Sequence, residues 1–449
     1  MPRKINLAVI GGGSSQWMTG LMRDVYLLDE VEGGEIRLVD PIIERVEAVA
    51  DMLRAFNRLR GKAFAISVVD NRKEALKDAD FVITTFSPGS MDAFENDLEI
   101  PFKYGIFQPV SMTVGPCGIS AAIRTAPVAY EIVEDMEEMC PGAWLLNVTN
   151  PMSVVTRAMN LAARTVKVVG LCHEVHALPR YLAETLGIQR PADVSILDFM
   201  YRWLAKEGYE YTIAGLNHCP WLTEFRHHGD DLIPAVRRYC SEHWGRGTVT
   251  AKYALCRTFG CLPLAGDRHL VEFWPSLCNL RNGYATKYGV RKTTVDARRQ
   301  GVERSLASVR RIAKGEELVA WDPSDEELTG IMRAILTQTT SVGTVNMPNR
   351  GQIANLPRDV VVETLAVIGA DGVVPKPSGS LPGPIASLMR LHADIHELTL
   401  QAGLAGDRDL LVQALSLDPL SAPADFSEIG QLADDLLAAN KQWLPRFFK

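Results

Sequence analysis

The run Ile5-Asn-Leu-Ala-Val-Ile10 leads directly into Gly11-Gly12-Gly13-Ser14, and an amphipathic stretch begins immediately behind it. A buried strand that enters a glycine turn and opens a helix constrains this chain more than any other feature. Glycines let the backbone approach a pyrophosphate, and the helix N-terminus faces its negative charge. The next apolar run, Ile36-Arg-Leu-Val39, ends in Asp40. A carboxylate at that point accepts from ribose hydroxyls and repels a 2′-phosphate. The layout predicts a dinucleotide-binding βαβ unit that prefers NAD, with Gly11, Gly12, Gly13, Ser14 and Asp40 as contacts. The turn departs from the usual pattern, because Trp17 sits near where a further glycine is expected.

The rest of the composition narrows the class. With 449 residues and a net charge of −7, the chain is long enough for two or three domains and carries no dense basic cluster. That argues against nucleic acid or an anionic membrane surface as a partner. Met1-Pro2-Arg3-Lys4 is basic, yet the apolar run behind it breaks at Gly11, before a signal-peptide core could form. No apolar segment approaches membrane-spanning length. The eight cysteines are scattered without paired zinc-type spacing, so a reducing cytoplasm is the expected location.

Short β-rich runs alternate with helical patterns through the first 170 residues. Strands are expected at 5–10, 35–39, 64–68, 80–85, 143–147 and 166–171, and helices at 17–29, 41–59, 72–78 and 119–139. This alternation predicts an α/β fold with a Rossmann-type, doubly wound parallel sheet. Pro191-Ala-Asp193 reads as a joint, giving an NAD-binding domain over 1–195 and a substrate, metal and oligomerisation domain over 196–449. In the second part Tyr211–Leu216 is a strand, most of 230–340 is helical, 341–357 reads as loop, and 383–449 is helical again. The C-terminal part is therefore expected to be mixed α+β and mainly helical.

Three constellations could carry chemistry. Val166–Leu171 ends in Cys172-His173-Glu174, and Tyr211–Leu216 ends in Asn217-His218. Two strand ends at one crevice could give Cys172 and His218 a shared divalent cation, with substrate oxygens completing its shell. A buried cysteine and a structural histidine would look the same in sequence. Gly266-Asp267-Arg268-His269-Leu-Val-Glu272-Phe273 sets charge beside an apolar patch, as an acid–base site requires and as a solvated helix start also would. In Asn147-Val-Thr-Asn150-Pro151, side-chain amides could orient a nicotinamide or a sugar hydroxyl, although Asn-Pro is also an everyday turn.

Taken together, these segments resemble the NAD- and manganese-dependent glycosidases of glycoside hydrolase family 4. The resemblance runs through Ile10–Ser14, Asp97–Gly105, Thr113–Gly118, Arg124-Thr125, Asn147–Pro151 and Gly170–His173. It continues through Gly215–Trp221, Asp267–Phe273, Val345–Gln352 and Asn355–Pro357. Two positions depart from the family pattern: Cys117 stands where glycine is usual and Phe273 where many members have tyrosine. The resemblance implies a lactate/malate dehydrogenase-like fold, Cys172 and His218 as manganese ligands, Asp267 as the base, and Asn150 in contact with both cofactor and substrate. The Cys172-His173-Glu174-Val175 variant looks like the α-galacturonidase branch, as does Gly266–Leu270.

That branch implies cleavage of α-linked uronides. Hydride moves from C3 of the sugar to NAD⁺, the C2 proton is removed, the aglycone leaves by elimination, water adds, and the hydride returns. His173 and Glu174 are alternatives for the acid. Arg124 and Arg268 are candidates to face the C6 carboxylate, because a guanidinium fork fits a carboxylate bidentately. A homo-oligomer, dimer or tetramer, is expected, with a small uronide as substrate. Other family 4 specificities (α-glucoside, α-galactoside, α-glucuronide) are the nearest alternatives. A 2-hydroxy-acid dehydrogenase is a more distant one, since His227-His228-Gly229-Asp230 superficially resembles the catalytic histidine motif of those enzymes. A silent NAD-binding sensor is a third reading; it predicts cofactor binding without turnover.

Overall fold

The computed structural model describes residues 2–244, 250–369 and 372–449. All six strands expected in the first part form: β1 (Arg3–Ile10), β2 (Val31–Val39), β3 (Ala63–Val68), β4 (Phe81–Thr84), β5 (Trp144–Asn147) and β6 (Lys167–Gly170). They pair in parallel in the order 3-2-1-4-5-6, the order of dinucleotide-binding sheets. Successive side chains on a strand point to opposite faces, and here both faces are covered. Leu7, Val9, Ile83, Leu146 and Val169 pack into one core with helices Ser15–Tyr26, Ile43–Arg60, Val295–Lys314 and Leu328–Thr337. Ala8, Ile10, Val82, Leu145 and Val168 pack on the other side against Gly115–Met139 and Met152–Ala162. Each large apolar side chain buried in this way contributes about 1.5–3 kcal/mol.

The sheet does not end at β6. It continues through β11 (Ser341–Pro348), β12 (Val361–Gly369), β7 (Tyr209–Leu216), β8 (Cys219–His227) and β10 (Leu262–Pro263), all antiparallel to their neighbours. Two short strands, β9 (Asp230–Asp231) and β13 (Gly372–Pro375), add to β8 and β12. Helical segments make up most of the remaining C-terminal part, including Gly383–Ala405, Arg408–Leu417 and Ile429–Ala439. Helix Val295–Lys314 from the second half lies against both Ile43–Arg60 and Ser15–Tyr26 from the first, and Ser15 Oγ of the latter donates to Val302 O. Among the described residues no helix is long and apolar enough to cross a membrane.

Two expectations need correction. The segment 341–357 is not all loop, because its first half is strand β11. Its Asn, Gly and Pro residues are concentrated after Pro348, where Asn349 Nδ2 donates to the carbonyls of Ile353, Leu356 and Pro357 and ties the loop to itself. Helix Ser90–Lys103 also lies where no helix was anticipated; its internal Pro101 and the glycine before it read as turn signals.

Candidate active site

The glycine turn is built for close approach. Gly11 has φ +89°, and a Cβ there would lie 2.2 Å from the Thr85 carbonyl oxygen. A Cβ on Gly13 would lie 2.9 Å from the Asp40 carboxylate. Asp40 accepts from the Gly13 N–H at 3.1 Å and the Ile42 N–H at 2.8 Å, which pins its carboxylate at the end of β2 against the turn. The Ser14 hydroxyl makes no capping bond to helix Ser15–Tyr26. These residues fit a dinucleotide: the turn presents glycine backbone, and a carboxylate acceptor stands at the end of β2, where a ribose would lie. Trp17 sits in the first turn of this helix with its ring centroid 5.8 Å from that of His173. The glycine turn and the Cys172 loop are thus adjacent.

At the seam between the parallel and antiparallel parts, one row crosses four strands: Gly170 of β6, Asn346 of β11, Glu363 of β12 and Gly215 of β7. Two glycines flank two polar side chains, both buried in the sheet. The strands β6 and β7 run in opposite directions, so the two loops do not leave the same sheet edge. They meet instead over Glu363. Asn217 Nδ2 donates to Glu363 Oε2 at 3.3 Å. Burial pushes the Cys172 thiol well up, and Glu363 and Glu174 push it further. Burial likewise raises Glu363 to about 8.

His218 occupies the tight turn between β7 and β8 with φ +63°. Its Nδ1 is bonded to Thr113 Oγ1 at 2.5 Å, leaving Nε2 as the ring's remaining ligating nitrogen. His269 stacks on it with ring centroids 3.9 Å apart. Burial, then the neighbouring His269, holds His218 well below the usual histidine range, and burial lowers His269 to about 3. Both rings are neutral at pH 7, the form that binds a metal. Glu174 lies in the electrostatic field of both Cys172 and His218. Several buried atoms here lack a partner among the described residues, including Asn217 Oδ1, Glu363 Oε1 and His269 Nδ1. No three His, Cys, Asp or Glu side chains among the described residues form a metal-type cluster. A cation held by Cys172 and His218 would therefore have two protein ligands and open positions, and the donor set suits a borderline divalent ion.

The other candidate residues surround this pair. Glu174 Oε2 accepts from the Gly266 N–H at 2.6 Å, and its Oε1 lies 3.6 Å from His269 Nε2. His173 is half-exposed and pairs through Nδ1 with Glu326 Oε1 at 2.9 Å, a partner that raises its pKa. Asp267 opens helix Asp267–Phe273 and accepts from the backbone N–H groups of Lys252 at 3.0 Å and Ala251 at 3.2 Å. Burial raises its pKa against the pull of Lys252. Lys252 is itself buried, donating through Nζ to Pro263 O and Ala265 O at 2.6 Å each. Asn150 is half-buried beyond β5 and accepts from the Met152 N–H at 3.2 Å.

Arg124 does not have the freedom a substrate contact needs. Its side chain is buried, its fork grips Asp97 at 2.5 and 3.0 Å, and its remaining donors reach Pro88 O and Ser120 O. The carboxylate it was expected to bind is already present inside the protein. Arg268 is exposed, and its Nη2 donates to Thr293 Oγ1. His227 and His228 lie at the far end of β8, with His227 stacked on Tyr209 at 4.3 Å, away from the Cys172 loop.

Sequence reading missed Thr113, Glu363 and Asn346 as parts of the site. Glu363 left a signal: it is the one charged residue in the apolar run Val361-Val-Glu-Thr-Leu-Ala-Val-Ile368. A carboxyl in a central strand is expensive to bury without a purpose.

The profile of family 4 glycosyl hydrolases matches residues 6–188, and the profile of their C-terminal domain matches residues 213–421. The chain is 34% identical to an alpha-galacturonidase of Bacillus subtilis, with 97% of each chain covered. It is 30% identical to an alpha-galactosidase of the same organism over 98% of this chain and 99% of that one. The crystal structure of the Bacillus subtilis protein LplD superposes with a TM-score of 0.84 at 32% identity, covering 97% of this chain and 100% of that one. The 6-phospho-beta-glucosidase of Thermotoga maritima, crystallised with manganese, NAD⁺ and glucose-6-phosphate, shares the fold with a TM-score of 0.79 at 22% identity, over 98% and 99% of the two chains. With both profiles matched in order and full-length relatives above 30% identity, the chain belongs to family 4 of the glycosyl hydrolases.

Proposed function

We propose that this family 4 enzyme is an α-galacturonidase that works by transient oxidation and elimination, with NAD and a manganese-class cation as recycled partners. The observation that carries this reading is that Glu174, two residues after Cys172, contacts Gly266 and His269 at the Asp267 helix while His269 stacks on His218, with Trp17 beside His173 joining that loop to the glycine turn. Relatives named alpha-galacturonidase at 30–34% identity over nearly the whole chain support the sugar. Fold neighbours crystallised with NAD and Mn²⁺ support the cofactors.

When bound, NAD⁺ supplies a hydride acceptor for C3, and a divalent cation at Cys172 and His218 polarises the oxygens next to C2. The chain's own residues do the rest. Asp40 and the Gly13 turn receive the adenosine ribose, and Thr113 aims the His218 ring by holding Nδ1. Asp267 takes the C2 proton. Burial strengthens it as a base while Lys252 keeps it ionised, and a placed base is worth about 10²–10⁴ in rate. His173 fits the acid at the glycosidic oxygen, because Glu326 favours its protonated form. Glu174 accepts from the Gly266 N–H through Oε2, which ties the Cys172 loop to the Asp267 helix. Asn150 and Arg268 remain for sugar hydroxyls and the C6 carboxylate.

The test is a panel of p-nitrophenyl α-galacturonide, α-glucuronide, α-galactoside, α-glucoside and 6-phosphoglucosides with NAD⁺, Mn²⁺ and a thiol. The α-galacturonide should turn over fastest, only with both cofactors, and without net NADH. Preference for a 6-phosphoglycoside, or steady NADH accumulation, would overturn the reading.

A further inference from the structure

Two guanidiniums stand on the Asp267 side of the site without an ion-pair partner among the described residues. Arg268 precedes His269 in the same helix and is exposed. Arg298 rises from helix Val295–Lys314, its guanidinium 4.5 Å above the Phe94 ring, with Nη2 donating to Val110 O at 3.1 Å. Its Nε is buried and finds no acceptor among the described residues. The carboxyl that faces Arg298 is Glu272: its Oε1 is taken by the N–H groups of Val110 at 2.7 Å and Ser111 at 2.9 Å, and its Oε2 is buried without a hydrogen-bond partner among the described residues, so no bond joins it to Arg298. Burial lifts Glu272 to about 7, so it is only partly ionised at neutral pH. Burial, then the nearby Arg268, lowers Arg298 to about 10, the mark of a cation left short of compensation.

A protein rarely sinks one guanidinium beside another without an anion to receive. Arg268 precedes His269, whose ring is stacked on His218, and Arg298 holds Val110 O in the segment whose Thr113 bonds the same His218. The missing anion therefore belongs one ring away from the candidate cation ligands, where the sugar ring itself must lie. A carboxylate attached directly to C5 fits that short separation. A 6-phosphate would stand two bonds further out and bring a second charge toward Glu272.

We infer that Arg298, together with Arg268, forms a two-guanidinium clamp for the C6 carboxylate, and that Arg298 is the residue that separates uronides from neutral hexosides. This rests on the α-galacturonidase reading for the sugar but not for the anion. The planar carboxylate would take the free Nε–H of Arg298 and a donor from Arg268, which suits the fork geometry of arginine.

The test measures binding and selectivity in Arg298→Met, Arg298→Lys and Arg268→Met enzymes, each checked for a native melting profile. Calorimetry on the full-length protein with NAD⁺ and Mn²⁺ compares galacturonate, galactose and galactose 6-phosphate. Wild type should bind galacturonate best, and Arg298→Met should lose that preference. The ratio of kcat/KM for α-galacturonide over α-galactoside should fall about a hundredfold, as expected for removing one partner of a desolvated charge pair, with partial recovery in Arg298→Lys. An equal loss on both substrates, or an unchanged ratio, would overturn the clamp. Tighter binding of the phosphate would do so as well. Failure of wild type to cleave any galacturonide would refute the proposed function, whereas the binding series would still decide the clamp. If Arg298→Met does not fold, Arg298→Lys and Arg268→Met carry the same comparison.

Discussion

The imidazole rings of His218 and His269 lie face to face, centroids 3.9 Å apart and planes inclined by 26°. One ring comes from the β7–β8 turn and the other from helix Asp267–Phe273, which ties the candidate metal loop to the helix that carries Asp267. Neither can be protonated cheaply beside the other in a buried setting, so His218 stays neutral and available as a ligand.

Thr113 is the lever that tests this arrangement. It holds Nδ1 of the ligand His218 without itself ligating the cation, so Thr113→Val should lower Mn²⁺ affinity about 10–100-fold while leaving NAD binding intact. Titration of free Mn²⁺ by electron paramagnetic resonance reads this directly. The Cys172 thiol must lose its proton to bind the ion, and burial disfavours that loss. Affinity should therefore rise by up to about tenfold for each unit that the pH increases through neutrality. Affinity independent of both Thr113 and pH would remove Cys172 and His218 from the ligand set.

Arg124 yields a prediction of the opposite kind. Its pair with Asp97 is buried at both ends, so breaking it leaves an uncompensated charge in the core. Arg124→Met should cost about 3–5 kcal/mol of stability without changing the preference among glycosides of whatever enzyme remains folded. Chemical denaturation measures the first effect and the substrate panel the second. A stable variant that had lost its preference for uronides would restore Arg124 to the substrate site.

Much of this architecture was legible in the sequence because local rules agree with one another in the first 170 residues. The glycine turn, the carboxylate of Asp40 and strands buried on both faces each announce a parallel dinucleotide-binding sheet, and that sheet forms. The seam was less legible for a physical reason. Asn346 and Glu363 acquire their roles only by standing in register with Gly170 and Gly215, a non-local pairing that no window of sequence contains. The arginines show the same limit from the other side. Arg124 and Arg298 look alike as letters, and only the partner each meets, a salt-bridged Asp97 for one and no salt-bridged carboxylate among the described residues for the other, tells a core cation from an available one.

His392 and His396 give the chain a specific acid response. Both lie on helix Gly383–Ala405, His392 packed edge-on against Phe273 at 4.8 Å, and burial lowers them to about 3 and about 4. The folded chain keeps these rings neutral while the unfolded chain takes up protons below about pH 6.5. Stability from these two groups is thus complete above pH 6.5 and falls as the pH drops toward 4, by up to ~1.4 kcal/mol per pH unit for each. Glu272 has the opposite slope in part of this window, because its raised pKa favours the folded state at low pH. The difference between wild type and His392→Phe isolates the histidine. The melting temperature of the variant should fall less between pH 7 and 4.5, and identical profiles would mean that His392 is protonated in the folded protein.

Asp267 bears on the mechanism itself. An oxocarbenium route never breaks the C2–H bond, whereas elimination after oxidation at C3 must. The carboxylate that would take this proton also caps helix Ala251–Phe259 through the N–H groups of Ala251 and Lys252, so an alanine there removes a base and a cap together. Loss of such a cap costs about 1 kcal/mol, which could be mistaken for a catalytic effect. Asp267→Asn separates them in part: its amide oxygen still accepts from one of the two N–H groups, its NH2 faces the other, and it cannot carry the proton. In D₂O the wild-type enzyme should place deuterium at C2 of the released sugar. Asp267→Asn should melt somewhat below wild type, still bind NAD⁺ and Mn²⁺, and lose that exchange together with at least about 10² in kcat. Product from the wild type with only protium at C2 would rule out elimination, and full exchange in Asp267→Asn would assign the base to another residue.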